Sequence, residues 1–296
     1  MSALSRPSLF DRSVSAVATE FKVSNGDVLL AGEEAGAGAP VLLLHGLTAT
    51  RRYVVMGSKL LERSGHRVIQ YDARAHGHSS PAPTPDAYGY DLLADDALAV
   101  LDARGVERAV LAGASMGAHT LLNLALRRPE RVAGLVVITP AYSGDEAAEQ
   151  ARLARWDSLA AGLRSGGVEG FIEAYGVPSG TPEFAQTVLT VARQRLSAHD
   201  HPQALADALQ AVPRSRPFGS LDALAAIAAP TVVVASSDAA DPEHPEALGI
   251  AYAEAIRSAR LLTDPPGRSP IAWQGSQLSR IIADVAAASG LAQGPG

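Results

Sequence analysis

Regular patterning begins with "TEFKVS" and "DVLLAGEE", two strand-like runs on either side of Asn25-Gly26. Asn-Gly between such runs signals a tight hairpin, because both residues tolerate the positive φ that a two-residue turn needs. "APVLLLHG" follows, a short apolar run ending in glycine, which fits a strand buried on both faces. Residues 53–64 carry Val54, Val55, Leu60 and Leu61 at helical spacing, and "HRVIQYDA" reads as the next strand. Leu92, Leu93, Leu98, Val100 and Leu101 predict a helix over 90–103, closed by Arg104-Gly105, where glycine suits a C-terminal cap. "RAVLAGAS" and "VAGLVVITP" are further buried strands, around a helix over 115–128 that stops at Pro129. Strands alternating with helices require crossover connections, so the pattern predicts a mostly parallel sheet after an antiparallel start.

From about residue 142 to 215 this rhythm breaks. Leu153, Trp156, Ala160 and Leu163 share one helical face, as do Phe184, Val188 and Val191, and no convincing strand lies among them. The strand pattern returns with "TVVVASS" and "ARLLTD", and a last amphipathic helix runs through Leu278, Ile281, Ile282 and Val285. The expected organisation is one α/β domain, 18–141 with 216–288, flanked by flexible termini at 1–17 and 289–296. Residues 142–215 form a helical lid inserted into that domain; a separate helical domain is the alternative.

Composition narrows the classes of function. Across 296 residues, 47% are apolar and 19% charged, which is globular rather than disordered composition. A net charge of −6, from 31 acids against 25 bases, argues against nucleic acid or an anionic membrane surface as partner. With no cysteine there is no disulfide, no thiolate nucleophile and no cysteine-held zinc. The N-terminal segment lacks the apolar core of a signal peptide, and "VLLLHG" is too short to span a bilayer. A cytoplasmic protein with a small-molecule substrate and no cofactor is the expectation; oligomeric state is not legible.

Candidate chemistry starts at Gly113-Ala114-Ser115-Met116-Gly117, set between a strand and a helix. A nucleophilic serine needs to project from a sharp strand-to-helix turn, where bulky neighbours two residues away would collide. The following helix offers its N-terminal dipole and the amide of Met116 to a developing oxyanion. A tight turn whose serine merely caps the helix would share the same five residues.

On these residues the chain resembles the α/β-hydrolase superfamily, in particular its lidded members that act on small substrates. "LLLHGLTAT" looks like that family's strand-to-loop "HG" segment, whose following amide, here on Leu47, completes the oxyanion hole. "YDARAHGHSS" is similar to the family's D-x-R-G-x-G-x-S stretch, with Ala75 in place of the first glycine. The resemblance runs over roughly residues 18 to 288, with the lid after the sixth strand. It implies an α/β-hydrolase fold, a mostly parallel central sheet flanked by helices. Ser115 would be the nucleophile, and the acid would follow "PTVVVASSD". Asp238 matches the family's G-x-x-D position there and leads; Asp241, three residues on, competes with it.

The base is missing from its expected place. Where the family has P-G-x-G-H-S-P or a close relative, this chain reads Pro266-Gly267-Arg268-Ser269-Pro270, which sets Arg268 on the histidine. A guanidinium stays protonated and cannot act as a general base. His45, His76 and His78 read as structural, His66 as exposed, and His119 as packed beneath Ser115. His244 follows the acid loop, and His199 and His201 lie in the lid; the sequence assigns the base to none of them. Arg268 could instead bind a substrate carboxylate or stabilise an oxyanion, helped by Arg51 and Arg52, or all three could be solvated surface residues. Trp156, Phe171, Tyr175 and Phe184 either line an apolar cavity or form the lid's own core.

Three readings follow. The first is an enzyme of α/β-hydrolase type cleaving an ester, lactone or C–C bond of a small carbonyl substrate. The second is a non-hydrolytic lyase, isomerase or cyclase, and the third a silent binding protein that kept the pocket. With arginine in the base position, simple ester turnover should be weak.

Overall fold

The computed structural model describes residues 18–237, 241, 243–265 and 269–291. The segments 1–17 and 292–296, read from sequence as flexible termini, lie outside the described residues. So do Asp238 and Arg268.

Strands β1 (Thr19–Asn25) and β2 (Val28–Ala35) form the hairpin around Asn25-Gly26, with Gly26 at φ 57°. They are followed by β3 (Ala39–Leu44), β4 (His66–Tyr71), β5 (Ala109–Ala114), β6 (Val132–Ile138), β7 (Thr231–Val234) and β8 (Ala259–Leu262). The eight strands form one sheet in the order β1-β2-β4-β3-β5-β6-β7-β8. β2 is antiparallel to β1 and β4, and every later pairing is parallel. The central strands are apolar on both faces because helices cover both. On one side α2 (Tyr90–Ala103), α3 (Met116–Arg127) and α7 (Glu246–Ala255) pack on Leu42, Leu111, Leu135 and Val233. On the other, α1 (Leu60–Arg63) and α8 (Gly275–Ala288) pack on Leu43, Val110, Val136 and Val232.

The helix expected over 53–64 forms only as α1, after a short 3-10 turn at Arg51–Tyr53. Met56 and Gly57 adopt φ of 47° and 73°, which a right-handed helix cannot accommodate. Apolar spacing alone does not register that reversal.

Between β6 and β7 run α4 (Glu146–Tyr175), α5 (Pro182–Leu196) and α6 (Pro202–Arg214). Gly167, at φ 59° and ψ −144°, breaks α4, and the two arms cross so closely that a Cβ on Gly162 would stand 2.3 Å from the carbonyl oxygen of Gly170. Leu159, Leu163, Phe171, Leu205 and Leu209 pack with Leu47, Ala75 and Met116, which follow the carboxyl ends of β3, β4 and β5. Open α/β sheets bind ligands at that edge. Among the described residues no helix is long and apolar enough to cross a membrane.

Candidate active site

Ser115 occupies the one-residue joint between β5 and α3, at φ 51° and ψ −111°. This is sparsely populated backbone for a residue with a side chain, held there by the strand before and the helix after. The flanking glycines are steric necessities. A Cβ on Gly113 would meet the backbone carbon of Gly117 at 2.4 Å, and one on Gly117 would meet the carbonyl oxygen of Leu44 at 2.0 Å. The loop after β3 lies against this turn: a Cβ on Gly46 would stand 3.5 Å from the Ala114 carbonyl oxygen and 3.7 Å from Ser115 Cβ. The amides of Leu47 and Met116 belong to these two abutting segments. Neither donates a hydrogen bond among the described residues.

That loop is held by imidazoles. His45 accepts the Ala73 amide on Nε2 at 2.9 Å, so its proton sits on Nδ1, 2.8 Å from the Gly46 carbonyl. His76 Nε2 lies 2.7 Å from the Leu47 carbonyl, the shorter of its two carbonyl contacts. His199, between α5 and α6, accepts the Gly77 amide on Nδ1 at 2.8 Å and points Nε2 at the Thr48 carbonyl, 3.4 Å away. Three successive carbonyls are thus met by imidazole N–H groups, which orients the peptide planes that aim the neighbouring amides. Burial, then the neighbouring imidazoles, pushes His45 and His199 down to about 3, and burial lowers His76. All three are structural donors and acceptors.

Asp72 anchors the same region. It accepts the Arg51 amide at 2.8 Å and pairs with the Arg51 guanidinium, so Arg51 is buried and committed rather than solvated or free for a ligand. Arg52 is exposed. Ala75 sits at φ 65°, keeping the left-handed turn where the resembling family has glycine. Beside it, Arg74 pairs with Asp96 through two hydrogen bonds of 2.7 Å, both side chains buried.

His119 is excluded as a base by its partners. Its Nε2 accepts the amides of Ala141 and Tyr142 at 3.0 and 3.1 Å, which leaves the proton on Nδ1, 3.0 Å from the Tyr90 hydroxyl. Burial, then the nearby His244 and Arg152 charges, push it down to about 3. His66, expected to be exposed, is buried where β4 begins, with Nδ1 3.2 Å from the Leu61 carbonyl at the end of α1.

The group that reaches Ser115 is His244. Its Nε2 lies 2.8 Å from Ser115 Oγ, and its Nδ1 lies 2.7 Å from Asp241 Oδ1. The structure therefore brings together Ser115 and the competitor acid, Asp241, through a histidine that the sequence left unassigned. Burial alone would raise the Asp241 carboxyl. The His244 charge and hydrogen bond, with Arg195 beyond, outweigh burial and hold it below the ordinary carboxylate range. The segment is fixed from α4 by an ion pair, Arg155 Nε to Glu243 Oε1 at 2.9 Å. It is tied to the β8 side through Asp264, which accepts from Ser236 Oγ, the Ser237 amide and the Ile271 amide. The local signal for His244 was the pattern Asp-Pro-x-His-Pro, whose spacing lets an acid and an imidazole meet across one turn. Nothing local shows that this turn lies over a serine 129 positions earlier. Among the described residues no group of His, Asp or Glu converges in a metal-holding arrangement.

Residues 39–237 match the family model described as the alpha/beta hydrolase fold. A protein of Variovorax paradoxus named as a carbamate hydrolase, RutD, is 34% identical over 205 residues, covering 68% of this chain and 74% of that one. A non-haem haloperoxidase of Mycobacterium phage D29 is 36% identical over 126 residues, covering 42% of this chain and 44% of the phage protein. The chain thus spans less than half the length of that relative. Among solved structures, a malate-bound thermophilic esterase from Thermogutta terrifontis superposes with a TM-score of 0.73 at 25% identity, over 93% of this chain and 99% of the esterase. The enol-lactonase of Burkholderia xenovorans LB400 superposes at 0.72 with 21% identity, over 89% and 98%, a likeness of fold. With an eight-stranded, mostly parallel sheet flanked by helices and a family match across two thirds of its length, the chain belongs to the α/β-hydrolase family.

Proposed function

We propose that this chain is a serine hydrolase of small carbonyl substrates, with Ser115 as nucleophile, His244 as general base and Asp241 as the acid that orients it. The observation that carries this reading is the 2.8 Å approach of His244 Nε2 to Ser115 Oγ, backed by the 2.7 Å contact of His244 Nδ1 with Asp241. As the Ser115 hydroxyl attacks the substrate carbonyl, its proton passes to Nε2. The imidazolium so formed is stabilised by Asp241. The carbonyl oxygen, now negative, is met by the amides of Leu47 and Met116 at the N-terminus of α3. The tetrahedral intermediate collapses, the leaving alcohol takes the proton from His244, and an acyl group remains on Ser115. Water, activated by the same imidazole, then releases the carboxylic acid and restores the serine. Similar proteins named as an esterase and a carbamate hydrolase support an ester-like carbonyl as the target. A base in reach of the serine favours this over a silent binding protein. The helices between β6 and β7 act as the lid over this site.

Labelling with a fluorophosphonate and turnover of p-nitrophenyl acetate test the reading. The native protein should be labelled at Ser115 and hydrolyse the ester, and His244→Ala should lose about 10²–10⁴-fold in kcat, the usual worth of a general base. Undiminished turnover in His244→Ala, or turnover and labelling that survive Ser115→Ala, would overturn it.

A further inference from the structure

Six arginines lie on the three lid helices, and five have carboxylate partners: Arg152 with Glu149, Arg155 with Glu243, Arg164 with Asp207, Arg193 with Glu169, and Arg214 with Asp157. Arg195 is the sixth. It has no carboxylate or hydrogen-bond partner among the described residues, and its Nε is closed off from water. Its guanidinium carbon lies 4.9 Å from the centre of the Tyr53 ring and 4.8 Å from the centre of the Trp273 ring.

The two aromatic contacts locate it. Tyr53 ends the 3-10 turn that follows the Leu47 loop, and Trp273 ends the turn that follows β8. Arg195 reaches between them from the last turn of α5, close enough to Asp241 to help hold that carboxylate charged. It therefore stands where the oxyanion-side loop, the β8 loop and the acid–base segment come together. A guanidinium beside aromatic rings still carries N–H donors along its edge, and that edge matches a carboxylate in bidentate fashion. The Arg195 Nε is closed off without a partner while the residue keeps partial exposure, and the nearby Asp241 is already engaged with His244.

We propose that Arg195 is an anion subsite of the active site and that the substrate is a small ester or lactone bearing a carboxylate, gripped by the guanidinium edge while Ser115 attacks the neutral carbonyl. This rests on the reading of Ser115, His244 and Asp241 as a hydrolytic triad. Arg195 is a specificity residue, since it touches a part of the substrate that does not react.

The test compares p-nitrophenyl acetate with mono-p-nitrophenyl glutarate, whose acyl chain ends in a carboxylate, and measures binding of glutarate itself by calorimetry. The native protein should favour the acidic ester. In Arg195→Gln the ratio of kcat/KM, acidic over neutral, should fall by about 10- to 100-fold, the worth of a charge-assisted bidentate contact. Glutarate binding should weaken in parallel. Arg195→Lys, which keeps the charge but loses the fork, should fall between the two. Equal loss on both esters would make Arg195 a packing residue and overturn the proposal, as would a native enzyme indifferent to the acidic chain. If neither ester is hydrolysed and Ser115 resists the fluorophosphonate, the triad reading fails. Glutarate binding then decides the subsite alone: loss of binding in Arg195→Gln sustains it, and no binding to the native protein ends it.

Discussion

Replacing Asp241 by asparagine keeps the side chain's shape and removes its charge, which isolates the role proposed for this acid. The carboxylate lies 2.7 Å from His244 Nδ1, so the imidazole proton stays there and the Nε2 lone pair faces Ser115 Oγ at 2.8 Å. An asparagine amide turned to the ring would donate to Nδ1 and move the proton to Nε2, leaving the serine no acceptor. Turned the other way, its carbonyl would hold the tautomer but offer no charge to the imidazolium. In triads of this geometry the same change costs about 10⁴-fold in kcat, or about 5 kcal/mol at 1.36 kcal/mol per decade. The assay is steady-state hydrolysis of p-nitrophenyl acetate by native protein, Asp241→Asn and Asp238→Asn, with melting temperatures to show that each variant is folded. Asp241→Asn should suffer the larger loss by far. A greater loss in Asp238→Asn, or an Asp241→Asn rate within about tenfold of native, would return the acid to the position the family resemblance suggested.

Two further outcomes concern stability. His45, His119 and His199 sit near 3 in the fold against 6.5 in the free side chain, so the unfolded chain binds the protons that the folded chain refuses. Their contribution is complete above about pH 6.5 and is lost as pH falls toward 3, at about 1.4 kcal/mol per group per unit. Melting temperatures should therefore drop steeply below that pH, and a flat acid limb would contradict the buried-neutral assignment. Asp96→Ala would leave the Arg74 guanidinium buried without its carboxylate, and calorimetric unfolding should show a loss of about 3–5 kcal/mol. A loss under about 1 kcal/mol would mean that water or a new partner reaches Arg74.

The sheet was legible because its central strands are short apolar runs that end in glycine or turn residues, and because helical spacing over 90–103 and 115–128 separates β4, β5 and β6. The serine turn was legible for a steric reason: Gly113 and Gly117 stand where a Cβ would collide with backbone. What periodicity missed are reversals and meetings. Met56 and Gly57 turn the chain out of a helix that Val54, Val55, Leu60 and Leu61 would otherwise continue. Arg51 was open to a ligand or a surface reading because Asp72, which claims it, lies 21 positions away. His244 stayed one candidate among several because a family resemblance fixes expectation on the loop after β8, while the histidine that meets Ser115 is carried after β7.

That placement simplifies the machine. A triad gathered from three separate loops has two adjustable joints, serine to base and base to acid, and each can be thrown out of alignment by distant motion. Here the proposed acid and base are three residues apart, so their spacing is set largely within one turn, and the joint between His244 and Ser115 is the one that spans distant parts of the chain. On the proposed triad, the stretch after β8 is released from chemistry and is open to exchange or lengthening. The five residues from Asp241 to Pro245 become a portable cassette, one that could be set after the seventh strand of a relative whose own histidine has been removed.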